Sequence, residues 1–375
     1  MGTRTLTGLA CVVLLAPGCG GSEKKQPPAP APRTSATVSQ TLDKILAKEL
    51  ETSAVPGISA AIVFPDGHEW TGAVGVAVVE PRQPMTPQTA MVFDSVTKVA
   101  TASLALKLAE EGKLRLDDPI VDSYRAWKGD PKATLRDLLG HTSGAREPPG
   151  SFVDAILEHP KRAVTPRQAA AASAEPGPRT DDAQYSNAGF LIAGLILEKA
   201  AGEPLGKAMR ELIFDHPGGD GLVLQPTEAT HPPRAHQYWH PRGGADADDA
   251  SDGGAIMPFR AWSNFAWSAG SLAGDVPNLA RWGHELLGGR VLAPASLKQM
   301  TRFHAFHPWT GYGLGLGRDD SSGLEMWGHS GDGLGSHTEL WHAPQKNLTV
   351  AFSWNDDDFD SDPVFMRALV RAALS

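Results

Sequence analysis

The chain has only two cysteines, Cys11 and Cys19, and both fall within its first 19 residues. The rest of the protein can therefore form no internal disulfide and no thiolate metal site. Basic clusters are also missing. With a net charge of −9, the chain is a poor partner for nucleic acid or for an anionic lipid surface. No apolar run beyond the first residues reaches the roughly 18 needed to span a bilayer, and the longest, 188–197, suits a buried helix. There is no Gly-x-Ser-x-Gly elbow, no P-loop and no dinucleotide fingerprint, so nucleotide chemistry is disfavoured and no cofactor is expected.

What is present begins with Arg4, an apolar stretch over 9–16, and Ala16-Pro17-Gly18-Cys19. This pattern predicts a secretion signal over 1–18 that ends in a lipid-attachment cysteine, Cys19. Residues 19–37, with Pro27, Pro28, Pro30 and Pro32, read as a disordered tether. One folded domain is expected over 38–375, monomeric, exported to the cell envelope and touching the membrane only through its lipid. At about 335 residues it can bury a large core.

Ser95-Val96-Thr97-Lys98 opens a stretch that is apolar nearly all round as far as Ala109. This predicts a buried helix with Ser95 at its N-terminus, where backbone N–H groups and the dipole favour developing negative charge. Lys98 lies three residues on, sharing a face and a turn with Ser95. A lysine so buried loses part of its preference for the charged form and can accept a proton from the hydroxyl. Spacing alone is weak, because Ser22-Glu23-Lys24-Lys25 in the tether fits the same pattern.

Tyr185-Ser186-Asn187 precedes the second apolar helix, 188–197. Ser and Asn there serve as helix caps, or else Asn187 holds both the lysine and a substrate carbonyl. Tyr185, with an unperturbed pKa of about 10, can be a base near neutrality only beside a cation, and Lys98 is the candidate. His329-Ser330-Gly331 lies in a glycine-rich run, 327–333, that either turns freely or lets a ligand approach the backbone.

These three motifs, in this order, resemble those of the serine β-lactamase and penicillin-recognising D,D-peptidase superfamily, close to its class C, D-Ala-D-Ala carboxypeptidase and esterase branch. Leu116-Asp117-Asp118-Pro119, Leu138-Leu139-Gly140-His141-Thr142-Ser143-Gly144, Trp267-Ser268-Ala269-Gly270-Ser271-Leu272 and Tyr312-Gly313-Leu314-Gly315 fit the same branch. The resemblance implies Ser95 as acylated nucleophile, Lys98 as its partner and Tyr185 as the general base that later returns a proton. It implies substrate binding by Asn187, His329, Ser330 and Gly331, and an oxyanion hole made by the backbone N–H groups of Ser95 and Asp332. It also implies an α+β, β-lactamase/transpeptidase-like fold: an antiparallel sheet flanked by terminal helices, plus a mainly helical lobe.

The sequence departs from that pattern at His329, where lactamases of this branch carry Lys, and at Asp332, which adds a negative charge. A histidine charged near pH 6.5 would hold an acidic substrate less firmly than lysine. The expected activity is acyl-enzyme hydrolysis of a small peptide, D,D-carboxypeptidase-like, or of an ester. A class C-type β-lactamase and a non-catalytic muropeptide- or partner-binding protein are the alternatives. No metal is expected, although His231, His236 and His240 precede an acidic loop at 243–254 that reads as a solvated insertion.

Overall fold

In the computed structural model, residues 36–240, 246–357 and 363–375 are described. The expected signal, Cys19, the tether to residue 35 and residues 241–245, which include the start of the acidic loop, lie outside them.

The period-two patterns become an eight-stranded antiparallel sheet. Its order runs 83–84, 69–78, 57–63, 348–354, 336–343, 326–333, 317–319 and 311–312. The first and last helices, Ala36–Ser53 and Pro363–Ala373, cover one face. There Leu42, Leu46, Phe365 and Leu369 meet Ile58, Ile62, Val350, Phe352 and Trp354 in one buried cluster. At about 25 cal/mol per Å² of apolar surface removed from water, such a layer is a principal source of stability.

Alternation along 348–354 predicts one buried face, but all seven residues are buried. The helix Val276–Leu287 covers the second face, and its His284 Nδ1 lies 3.0 Å from Thr349 Oγ1. Alternation sorts side chains between faces; it does not say whether the second face meets water.

The helical lobe is built round Thr97–Glu110, of which eleven residues are buried. Asn187–Ala201 lies against it, starting at Ser186, whose Oγ accepts the Gly189 N–H at 3.0 Å. The helix Arg260–Gly270 breaks its regular backbone at Trp267 (φ 29°), and the carbonyls just beyond turn toward Thr97–Glu110. Ser268 O accepts from Thr101 Oγ1 at 2.7 Å and Ala269 O from Lys98 Nζ at 2.8 Å.

The described part of the acidic loop, from 246 onward, is mostly exposed. Asp248–Asp249 pairs with Tyr238–Trp239, and Asp249 Oδ2 lies 2.7 Å from His236 Nδ1. The three histidines do not share a ligand set. Among the described residues, the group with ligand atoms within 4.8 Å of one another is His240, Asp356 and Asp357. No helix among the described residues is long and apolar enough to cross a membrane.

Candidate active site

Ser95 lies in a single 3₁₀ turn, Asp94–Val96, that feeds directly into the buried helix. Its Oγ accepts from Lys98 Nζ at 2.8 Å and from Tyr185 OH at 2.7 Å. Lys98 is fully buried, and its remaining protons go to Asn187 Oδ1 at 2.7 Å and to Ala269 O. The lysine is thus held by three acceptors from three segments that are distant in sequence.

Burial pushes the Lys98 pKa down to about 7, against the upward pull of Glu147, Asp94 and Asp332. Near neutrality this ammonium exists in both protonation states. Tyr185 moves the other way. Although 39% of the residue is exposed, its hydroxyl faces inward at Ser95, and desolvation there, with the carboxylates of Asp332, Glu147 and Asp94, pushes its pKa above the ordinary value despite its bond to Ser95. Lys98 Nζ sits 4.8 Å from the centroid of the Tyr185 ring, under its face. In the resting site Tyr185 donates to Ser95, and the group poised to accept a proton is Lys98 rather than a phenolate.

The third motif lies in the strand Met326–Gly333. The neighbouring strand 317–319 pairs with it only as far as Gly328, so its edge from 329 onward is open. Gly331 fits because a Cβ there would lie 2.4 Å from Phe93 O and 3.0 Å from Ser95 N. At Gly333 a Cβ would meet Asp94 Oδ1 at 1.9 Å. Leu334 and Gly335 form a two-residue turn, with Gly333 opposite Ser336. That closing pair exchanges hydrogen bonds, and by alternation Asp332 opposite His337 does not. The Asp332 N–H therefore points out of the ladder along the open edge beside Ser95.

His329 does not act as the expected cation. It is 1% exposed, with Nε2 at 3.1 Å from Tyr312 OH and Nδ1 against the Ser330 carbonyl. Burial, reinforced by the Lys98 charge, pushes its pKa down to about 3. A neutral imidazole gives substrate binding no titration near pH 6.5. Ser330, opposite Glu339, is half-buried on the same strand.

Four further residues lie near the site, and of these only His141 falls in a phrase that the sequence singles out. Glu147, exposed in the loop after Gly144, accepts the Asn187 N–H. His141, in the Leu138–Gly144 phrase, accepts the Ser186 N–H at 3.1 Å through Nδ1 and packs 4.5 Å from the Tyr185 ring. His337 Nδ1 lies 2.7 Å from Asp332 Oδ1. Asp94 has left-handed backbone (φ 45°) and accepts from Ser336 Oγ at 2.7 Å. Phe306, Trp309 and Tyr312 form an aromatic wall beside Tyr185 and His329.

Burial raises the Asp94 pKa from 3.8 to about 8. Between those values the folded chain keeps a proton that the unfolded chain has lost. The stabilisation from this group is therefore full below 3.8 and disappears as pH rises through about 8. Asn tolerates the left-handed backbone and keeps an acceptor for Ser336. Asp94→Asn is thus expected to lose less thermal stability than the wild type between pH 5 and 8, as read by melting temperature. Equal losses in the two proteins would remove the assignment.

A beta-lactamase family model matches residues 42–375. Penicillin-binding protein 4 of Amycolatopsis lactamdurans is 29% identical over 80% of this chain and 81% of its own length. A D-aminopeptidase of Brucella anthropi is 24% identical over 83% of this chain, and an unguisins hydrolase of Aspergillus campestris is 26% identical over 84%. The chain spans only 58% and 61% of those two proteins. Among solved structures, a D-stereospecific amidohydrolase from Streptomyces sp. superposes with a TM-score of 0.72 at 28% identity, covering 91% of this chain and 98% of that one. The D-amino acid amidase of Ochrobactrum anthropi SV3 gives 0.78 at 21% identity, over 89% and 98% of the two chains, a likeness of fold.

Proposed function

The chain belongs to the beta-lactamase family, and on that premise we propose that it is a serine hydrolase cleaving a small amide or ester whose acyl part carries a free ammonium group. The observation that carries this reading is the sign of the charge around Ser95. Asp94 keeps its proton near neutrality, Asp332 is paired with His337 and His329 is neutral, so the carboxylate left acting on Tyr185 without such a partner in the site is Glu147. A C-terminal or β-lactam carboxylate finds no cation at the third motif, which sets the carboxypeptidase-like and β-lactamase readings behind. An ammonium is attracted, and exposed Glu147 beside Asn187 is its acceptor. Similarity to a D-aminopeptidase and to a D-stereospecific amidohydrolase supports a D-configured acyl residue.

In this reading neutral Lys98 takes the Ser95 proton as Oγ attacks the carbonyl carbon. The N–H groups of Ser95 and Asp332 hold the oxyanion. Tyr185 gives its proton to the leaving amine or alkoxide and is restored by the proton that Lys98 gained. Water then repeats the sequence on the acyl-enzyme. The Asn187 amide, with its oxygen on Lys98, offers N–H to the substrate carbonyl. The aromatic wall of Phe306, Trp309 and Tyr312 packs an apolar side chain.

The test compares D-phenylalanine p-nitroanilide with its N-acetyl derivative. The wild type should favour the free amine by about tenfold or more in kcat/KM, and Glu147→Gln should lose about tenfold on the free amine alone, the scale of one charged hydrogen bond. Equal rates on both compounds would eliminate the ammonium.

We further place the enzyme at the cell envelope on a Cys19 lipid, a reading that rests on the sequence pattern alone. Cys19→Ala should abolish labelling by radioactive palmitate in the host. Labelling that survives the substitution would remove the anchor.

A further inference from the structure

His337 is 1% exposed and lies between two carboxylates. Its Nδ1 is 2.7 Å from Asp332 Oδ1 and its Nε2 is 3.2 Å from Glu339 Oε1. Beyond Glu339 the chain of contacts continues, since its Oε2 accepts from the Trp341 indole. The imidazole also stacks on the Trp354 ring at 5.0 Å. Burial disfavours its charge, but Asp332 and Glu339 outweigh burial and push the pKa up to about 9. A cation is therefore enclosed next to the strand edge that faces Ser95, in a position the hydrolytic steps do not use.

The strand register explains why it is there. Asp332 and His337 form a pair that exchanges no ladder hydrogen bonds, the kind in which opposite side chains approach most closely. The same register turns the Asp332 N–H outward toward the substrate oxygen. One residue thus offers a donor for the developing oxyanion and, on its side chain, a carboxylate that would oppose it. The carboxylate is 68% exposed, so packing does not hold it away, and its charge already reaches Lys98, Tyr185 and Asp94. At Asp94 the charges of Asp332 and His337 act in opposite directions.

We propose that His337 is a positioning residue. It tethers and neutralises the Asp332 carboxylate, so that the Asp332 N–H can stabilise an oxyanion without a free negative charge beside it. Glu339 and the Trp341 indole hold the far side of the imidazole in turn. A two-residue spacing, His337-x-Glu339-x-Trp341, places all three on one face of the strand. The inference rests on Ser95 being the nucleophile, as proposed above.

The test is a double-mutant cycle on an activated ester that lacks an ammonium group, p-nitrophenyl acetate. His337→Gln keeps an N–H donor but removes the charge. It should lower kcat about tenfold with little change in KM, less than the 10²–10³ lost when an oxyanion donor is removed outright. In an Asp332→Asn background, where no carboxylate remains to restrain, the same change should cost little more. Equal losses in both backgrounds would mean that His337 serves the fold alone, and no loss in either would overturn the proposal. If His337→Gln does not fold, Glu339→Gln replaces it in both backgrounds and should show the same coupling at smaller size. Ser95→Ala is run in parallel: activity surviving there would sink the nucleophile assignment itself, a result distinct from a failed cycle.

Discussion

Ser95→Ala is expected to lower the turnover of an activated ester by about 10⁴-fold or more, in the range seen when a catalytic serine is removed from other hydrolases. The Ser95 hydroxyl receives hydrogen bonds from both Lys98 and Tyr185, and it lies at the end of a buried helix beside an open strand edge. Alanine removes the oxygen and leaves the rest of that geometry in place. Residual rate should come only from binding and the backbone donors. The fold should survive, because the 3₁₀ turn uses the Ser95 backbone and Asp94 forms the link to Ser336. Melting temperature and circular dichroism would verify this. The companion measurement is intact mass after a fluorophosphonate probe: one adduct on the wild type and none on the variant. An active Ser95→Ala protein, or an adduct that persists in it, would move the nucleophile elsewhere.

Lys98→Met should be nearly as damaging to activity, with a loss of about 10³-fold, within the range general-base removal reaches. The wild-type kcat/KM for a neutral ester is expected to rise with pH through about 7, the Lys98 value, because only the neutral amine accepts the Ser95 proton. In the variant that ascending limb should vanish. Stability moves with a definite sign. The folded value of about 7 lies below the ordinary 10.5, so between them the unfolded chain binds the extra proton and wild-type stability rises with pH. Methionine removes that slope. It also leaves Asn187 Oδ1 and Ala269 O without the lysine donor, at ~1–3 kcal/mol each if they stay dry. Retention of the limb in Lys98→Met would assign it to another group.

Much of this site is legible before any folding, for a physical reason. Ser95 and Lys98 are three residues apart on a helix, so local geometry alone puts them together. Apolar runs likewise announce the helices beginning at 97 and 187, and alternation announces the strand 348–354. The sequence cannot give the protonation states. Those of Tyr185 and His329 were expected from their neighbours in the motif, as a base and as a partly charged anion holder. Both expectations fail on surroundings that lie outside the motifs: Trp309 and Tyr312 bury His329, while Phe306, His141 and the neighbouring carboxylates set the environment of Tyr185.

The sequence by itself determined the order of the motifs, the family likeness, the sheet with its terminal helices and the identity of the residues that meet at Ser95. Each depends on period, spacing or residue type, which are local quantities. Tertiary structure alone decided which of those residues carries charge, that Glu147 stands beside Asn187, and that a strand register sets His337 against Asp332. Desolvation and Coulomb energies depend on everything within several ångströms in space, and most of those neighbours are remote along the chain.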